Sequence, residues 1–344
     1  MRDLMGDLTG RIRHRRVNAT EGILAGIILL YCVMVAAVNP AFLSVETLFD
    51  IVRSSSTAVI VGMGLLLVML SGGIDVSFMS IALFGSYVAA YAMIRLKIDS
   101  LAFAFAVSIG LGTILGLVNA LLVNWLNLPP FIVTLGTQNL FHGVMTTFIS
   151  DKTFGAGVIP SALSKFGSAT LFTLKTRQGV MGLTAAVIPM SIAVLLTWFI
   201  VSHTLVGRGV VAMGNSPESA RRAGFNLLKL RLFAYGYIGA LSAVMGVVYI
   251  SQVNAVYPNK LVGSELMIIA GAVIGGVKDT GGRGKVLGVI LGITIIYLLN
   301  STLIFLGLSS SWNNFFVGTL LVASVGVTSW QNRRKNRKNL LFTE

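Results

Sequence analysis

The sequence predicts an all-α polytopic membrane protein with about 10 transmembrane helices, some of them short or broken, and with both termini cytoplasmic. Three observations point there. Of the 344 residues, 55% are apolar and only 11% charged, against roughly 25% charged in an average soluble domain. The apolar residues come in long runs, not alternating stripes, and a helical crossing takes about 20 of them. The basic residues gather at the two ends and in two internal loops between apolar runs, as charges that set membrane orientation do.

Apolar runs occupy 22–38, 57–71, 76–94, 101–125, 131–149, 179–202, 232–250, 265–277, 286–308 and 312–330. The first follows a basic stretch and ends at Asn39-Pro40, which reads as a helix end; with nine candidates after it, it is taken as an uncleaved span, not a signal peptide. Runs 57–71 and 265–277 fall short of a crossing, and each adjoins a glycine pair, Gly72-Gly73 or Gly275-Gly276. Broken or partly inserted helices are expected there. Residues 1–21 form a cytoplasmic N-terminal segment, 22–330 the membrane domain with a polar loop at 203–231, and 331–344 a basic cytoplasmic tail. The longest extracytoplasmic loop, 150–178, offers at most a docking surface. Ten spans use about 200 residues, which leaves no room for a catalytic domain.

The charges test this topology. Arg2, Arg11, Arg13, Arg15 and Arg16 lead the chain, and Arg208, Arg221, Arg222, Lys229 and Arg231 fill the loop after 202. Lys278, Arg283 and Lys285 follow, and Arg333, Arg334, Lys335, Arg337 and Lys338 close it. These 18 of the 26 Lys and Arg residues share one side, the inside. Arg95 and Lys97, on an outward tip, and the uncharged inner turn 126–130 are exceptions. The net charge of +14 therefore reads as orientation, not as nucleic-acid binding. Cys32 is the single cysteine, so no disulfide forms within the chain.

No constellation supports catalysis. Gly281-Gly282-Arg283-Gly284-Lys285 is nearest to a phosphate cradle, but Asp279 stands where a P-loop has its first glycine and Val286 where it has its hydroxyl. ATP, if used, binds another chain. His14, His142 and His203 are scattered without metal-ligand spacing, so neither metal nor cofactor is expected. An ion-driven carrier needs intramembrane carboxylates, and of the twelve acidic residues Asp75 alone is well placed, with Glu265 opening a short span.

Asp75 follows Gly72 and Gly73 and precedes Ser77. It either caps the helix that resumes there or holds one state of a glycine hinge. In the loop 203–231, Ser216-Pro217-Glu218 reads as a helix start, with Ser216 as cap, Pro217 first and Glu218 complementing the dipole. Gly224 stops it after about two turns. The helix carries Arg221 and Arg222, either against anionic headgroups or as a knob for a groove on a soluble partner.

GGIDVS at 72–77, PPFIVTLGT at 129–137, GRGVVAMGNSPESARRAG at 207–224, GGVKDTGGRGKVLGVILG at 275–292 and SSWNNFFVGTLLV at 310–322 stand in one order along the chain. From about 40 to 325 the sequence resembles the permease subunits of ribose-type ABC sugar importers, and its last block resembles the permeases for a furanose-like autoinducer signal. The resemblance implies a bacterial inner-membrane subunit working by alternating access. It implies three partners: a second permease copy or paralogue, an ATPase of two fused cassettes, and a periplasmic sugar-binding protein. It makes Gly214, Asn215, Ser216, Pro217, Glu218, Ala220, Arg221, Arg222 and Gly224 the coupling helix that enters the ATPase cleft.

Two positions depart from the family. Phe78-Met79 replace a small residue and a glycine, and His142-Gly143 stand where Arg-Gly is frequent. Histidine in place of a permanent cation is expected either to alter the pathway's charge or to introduce a pH dependence near neutrality. For the sugar pathway, Asn119, Asn124, Gln138, Asn139 and Asn300 supply neutral hydrogen-bonding groups, each of which also suits helix contacts. Phe131 suits an apolar gate or packing, and His142 a substrate contact or packing. The alternative function is a self-contained secondary carrier or channel for small polar solutes.

Overall fold

The computed structural model describes residues 21–176, 179–309 and scattered positions between 311 and 326. The basic N-terminal segment, the tail 331–344 and most of the expected tenth span at 312–330 lie outside the described residues.

Helix α1 (Glu21–Val38) leads through a 3-10 turn at Pro40–Leu43 into α2 (Val45–Leu70). The run expected to be short at 57–71 is the second part of this 26-residue helix. Ser44 caps its start by accepting from the Thr47 amide at 3.2 Å, and Glu46 complements the dipole. The polar residues that lowered local hydropathy therefore ride on helical turns; Ser55 and Ser56 donate back to the carbonyls of Ile51 and Arg53, both at 2.7 Å.

Helices α3 (Phe78–Leu96), α4 (Leu101–Leu126) and α10 (Leu227–Val253) each end on a left-handed residue, Lys97, Asn127 or Asn254, a conformation that stops helices and that asparagine tolerates. Between α4 and α10 run α5 (Pro130–Val144), which passes into a π turn at Met145–Ile149, α6 (Ser161–Ser168), α7 (Val187–His203), α8 (Leu205–Asn215) and α9 (Pro217–Arg222). Helices α11 (Glu265–Ile274) and α12 (Val286–Thr302) follow α10.

The core is α2, α3, α4 and α10. Small residues on α4 and α10 bring the two backbones together: a side chain on Gly112 would overlap the Gly239 carbonyl, and one on Gly116 the Tyr235 carbonyl. Close backbone approach of this kind is how helices associate in lipid, where water provides no drive. Phe78 and Met79, which replace small residues of the family pattern, are buried in this core.

The chain is not wholly α-helical. The end of the loop 150–178 and the start of the run at 179 form an antiparallel hairpin, β1 (Thr170–Thr176) and β2 (Gly179–Thr184), with Thr173 opposite Gly182 and Leu174 opposite Met181. Its Thr and aliphatic residues suit a pleated surface, and an apolar run of this length does not distinguish strand from helix. Phe172 meets Phe49 of α2 edge-on at 5.8 Å.

Among the described residues five helices, α1 to α4 and α10, are long and apolar enough to cross a membrane, or six if α7 and α8, bent by 73° at Thr204, are one broken span; α11 and α12 are shorter. The result is a helical multi-pass membrane protein. A helix also fills most of the first half of the loop expected at 203–231: α8, whose start Thr204 caps by accepting from the Gly207 amide at 3.1 Å.

Candidate functional site

At one end of the bundle three glycine-bearing segments converge: the end of α2, the end of α8, and the loop 276–285. The Gly282 amide donates to the Leu70 carbonyl at 3.0 Å, and Asn215 Nδ2 donates to the Gly282 carbonyl at 3.3 Å. Gly281 has φ +89°, and a Cβ there would lie 2.6 Å from Gly72 Cα and 2.9 Å from Gly214 Cα. A side chain on Gly214 would overlap the Leu70 carbonyl oxygen. The sequence motif that failed as a phosphate loop thus packs main chain against main chain.

Helix α9 leaves this junction directly. Ser216 Oγ accepts from the Ser219 amide at 3.2 Å, closing the first turn. Ala220 is 1% exposed and anchors the inner side. Arg221 and Arg222 are exposed, with Arg222 on Glu218 at 3.1 Å, one turn away, an exposed pair of small energetic weight. Gly224, at φ +87°, ends the turn, and the Phe225 amide returns to the Ala220 carbonyl at 3.1 Å.

The break between α2 and α3 continues from Gly72, at φ +88°. Asp75 is fully buried, and its Oδ1 accepts from both the amide and the hydroxyl of Ser77 at 2.7 Å. Asn119 of α4, also fully buried, donates to Ser77 Oγ at 2.7 Å. Asn119 therefore ties α3 to α4. Asn124 accepts from Arg231 at 2.9 Å and ties α4 to α10.

Helix α5 separates the remaining candidates by face. Phe131 and Asn139 lie on its exposed face, where Asn139 Nδ2 returns to the Leu135 carbonyl at 2.9 Å. Gln138 is buried on the opposite face and donates to Glu265 of α11 at 2.9 Å. One turn on, His142 Nε2 stands 3.0 Å from the Pro258 carbonyl and 2.8 Å from Asn259 Oδ1. Asn300, half-buried on α12, is not drawn into any of these groups.

Glu265 is more than the opening of a short span. It is buried, and its second oxygen accepts from the Gly263 amide at 2.8 Å. An acidic residue beside an apolar run was the signal available for it. Tyr235, fully buried on α10 with a hydroxyl that has no partner among the described residues, had none, because a tyrosine in an apolar run reads as core.

No group of three or more His, Cys, Asp or Glu side chains able to hold a metal occurs among the described residues. The architecture is a membrane helix bundle with a short charged helix projecting from one end, and the family model described as branched-chain amino acid transport system / permease component matches residues 47–325. The chain belongs to that family, and is a permease subunit of an ABC importer. It is 29% identical over 309 residues to the ribose import permease protein RbsC of Haemophilus influenzae, covering 90% of this chain and 93% of that one. It is 28% identical to RbsC of Escherichia coli strain K12, over 87% of this chain and 90% of the relative. To the autoinducer 2 import system permease protein LsrC of Escherichia coli O9:H4 it is 30% identical, over 87% and 84%. No solved structure matches the chain.

Proposed function

We propose that this chain forms half of the pathway of an importer for a monosaccharide or sugar-like solute in the bacterial inner membrane. The names of the relatives, for ribose and for autoinducer 2, support that cargo class. In this reading the membrane domain runs over 22–330 with about ten spans and both termini in the cytoplasm, in keeping with the basic clusters. A second copy or a paralogue supplies the other half, a two-cassette ATPase drives the cycle, and a periplasmic sugar-binding protein delivers cargo. The ATPase site lies on that other subunit.

The observation that carries the mechanism is the attachment of α9. Residues Gly214 to Gly224 form the coupling helix, with Arg221 and Arg222 presented to the ATPase. The glycine contacts behind it pass displacement directly to the end of α2, because backbone pressed against backbone leaves no flexible side chain to absorb it. Gly72, Gly73 and Asp75 form the hinge, so a shift of α9 becomes a change in the angle between α2 and α3 and opens the pathway to one side at a time. Phe131, Asn139 and Asn300 meet the cargo, with His142 at the far end of α5; Asn119 and Gln138 hold the helices that frame it.

The test replaces Arg221 and Arg222 by Glu in the complete importer, reconstituted in liposomes with its ATPase and binding protein. Sugar uptake per ATP hydrolysed should fall by about tenfold or more, as for charge reversal at a docking surface. Unchanged uptake per ATP would reject α9 as the coupling element. Uptake by the purified chain alone, without ATP, would replace the importer reading with that of a self-contained carrier.

A further inference from the structure

A cavity of about 300 Å³ opens beside the glycine junction, between Gly73, Asn127, Pro130, Pro217, Arg231 and Tyr235. This is the lower end of the range for small-molecule pockets, roughly 300 to 1,000 Å³. We propose that it binds a phosphate-class anion.

Its walls offer hydrogen-bond donors and a single charged side chain, Arg231. Arg231 lines it with a guanidinium of five N–H groups, whose Nη1 donates to Asn124; the planar fork that remains suits phosphate oxygens. Tyr235 also lines it, is 1% exposed, and carries a hydroxyl without a partner among the described residues. A buried hydroxyl left unpaired is costly and calls for a ligand atom or water. Helix α5 begins at Pro130 on the same wall, and the ends of α2, α4 and α8 also line it at Ser71, Asn127 and Gly214, so the helix dipoles oppose one another there and the guanidinium sets the sign of charge that is favoured. Segments 203–231 and 276–285, which supply Pro217, Arg231 and Thr280 to its walls, carry eight Lys and Arg residues against Glu218 and Asp279, with Lys285 paired to Glu21 at 3.2 Å and Arg222 to Glu218 at 3.1 Å.

Asp75 is the nearby opposing charge. It is fully buried and does not line the cavity; one oxygen is engaged by Ser77, and the other has no hydrogen-bond partner among the described residues. Donors come from the guanidinium of Arg231 and the hydroxyl of Tyr235 on α10, and from the Asn127 side chain just past the end of α4, so they are spread over two walls. A phosphate, with its several oxygens, satisfies that spread better than the two oxygens of a carboxylate. The occupant touches both Pro217, the first residue of α9, and Gly73 in the α2–α3 break, and so holds the helix and the break in one relative position. A free phosphate compound and a lipid headgroup share this chemistry.

The test measures binding of radiolabelled inorganic phosphate to the delipidated full chain in detergent. Saturable binding is expected; Arg231→Gln should weaken it by about tenfold and Tyr235→Phe by a smaller factor, as losses of charged and neutral hydrogen bonds do, while Lys165→Gln leaves it unchanged. Tyr235→Phe keeps the packing, so it decides the matter even if Arg231→Gln fails to fold. Repeating the measurement in nanodiscs of phosphatidylcholine with and without phosphatidylglycerol separates the sources. Competition by phosphatidylglycerol assigns the site to lipid, and undiminished binding assigns it to a soluble phosphate. No saturation below about 10 mM, an affinity too weak to be specific, or equal binding by wild type and both cavity variants, would overturn the proposal.

Discussion

The two ends of the bundle are joined in different ways. At the α9 end, Leu70, Gly72, Gly214 and the Gly281-Gly282 turn meet through main-chain atoms. At the hairpin end there are main-chain contacts too, between Phe154 and Val256 and between Gly167 and the Ser251 carbonyl, but side chains add several ties: Gln138 to Glu265, His142 to Asn259, Gln252 to the Arg53 carbonyl, and Asp99 to Ser161. Main-chain contacts at glycine have no slack and accept no substitution, whereas side-chain ties can be exchanged or lost one at a time. The glycine junction is therefore where displacement passes rigidly between α8, α2 and the loop 276–285, and the polar ties of the other end are where a few hydrogen bonds can be broken without disturbing main-chain packing.

Substitution at the glycine junction should break that contrast most severely. Gly214→Val forces the Leu70 carbonyl and the Gly282 amide apart and should cost about 3 kcal/mol, the upper part of the overpacking range, read as a lowered unfolding temperature in detergent. Gly110→Val, on α4 where a Cβ meets nothing within 4 Å, should leave that temperature almost unchanged. Equal behaviour of the two variants would remove the main-chain contact from consideration.

A smaller effect is expected at the hairpin end. Gln138→Leu removes one of the two hydrogen bonds that hold the buried Glu265 carboxylate and should cost about 2 kcal/mol. Adding Glu265→Leu should recover much of the loss, since no charge is then left buried without its partner. Failure of the double variant to recover would mean that Glu265 has a role beyond its tie to Gln138.

The smallest effect concerns Asp99, between α3 and α4. Its carboxylate accepts from Ser161 Oγ and from the Ala162 amide, and these bonds hold it below the usual carboxylate range. A group lowered in the folded state lends support at neutral pH, and that support is lost as pH falls through its folded value, below about pH 4. Asp99→Asn should therefore flatten the acid limb of a stability-against-pH curve without moving the neutral plateau much. An unchanged acid limb would show that the Asp99 tie contributes nothing in solution.

Much of this was legible in order along the chain. Apolar runs located the helices, because a crossing needs about 20 consecutive apolar residues whatever its neighbours are. Ser216-Pro217 and Gly224 bounded α9, because capping chemistry is local. The helix α8 and the hairpin were not recognisable for complementary reasons: Leu205–Asn215 is short and interrupted by three glycines and Arg208, and Gly179–Thr184 is apolar but short. Neither departs enough from loop or span, respectively, to be recognised without its partners. Burial was equally hidden, since the apolar window of α2 is 83% buried and that of α1 only 11%, although both read simply as spans.

Composition, charge placement and motif order established a multi-pass permease and the position of its charged helix, since these depend on contacts a few residues apart and on the membrane as solvent. The convergence of Gly72, Gly214 and Gly281, the pairing of Gln138 with Glu265, and the unpaired hydroxyl of Tyr235 beside Arg231 emerged from the folded chain alone. They join residues separated by tens to hundreds of positions, and their partners are chosen by how the helices pack.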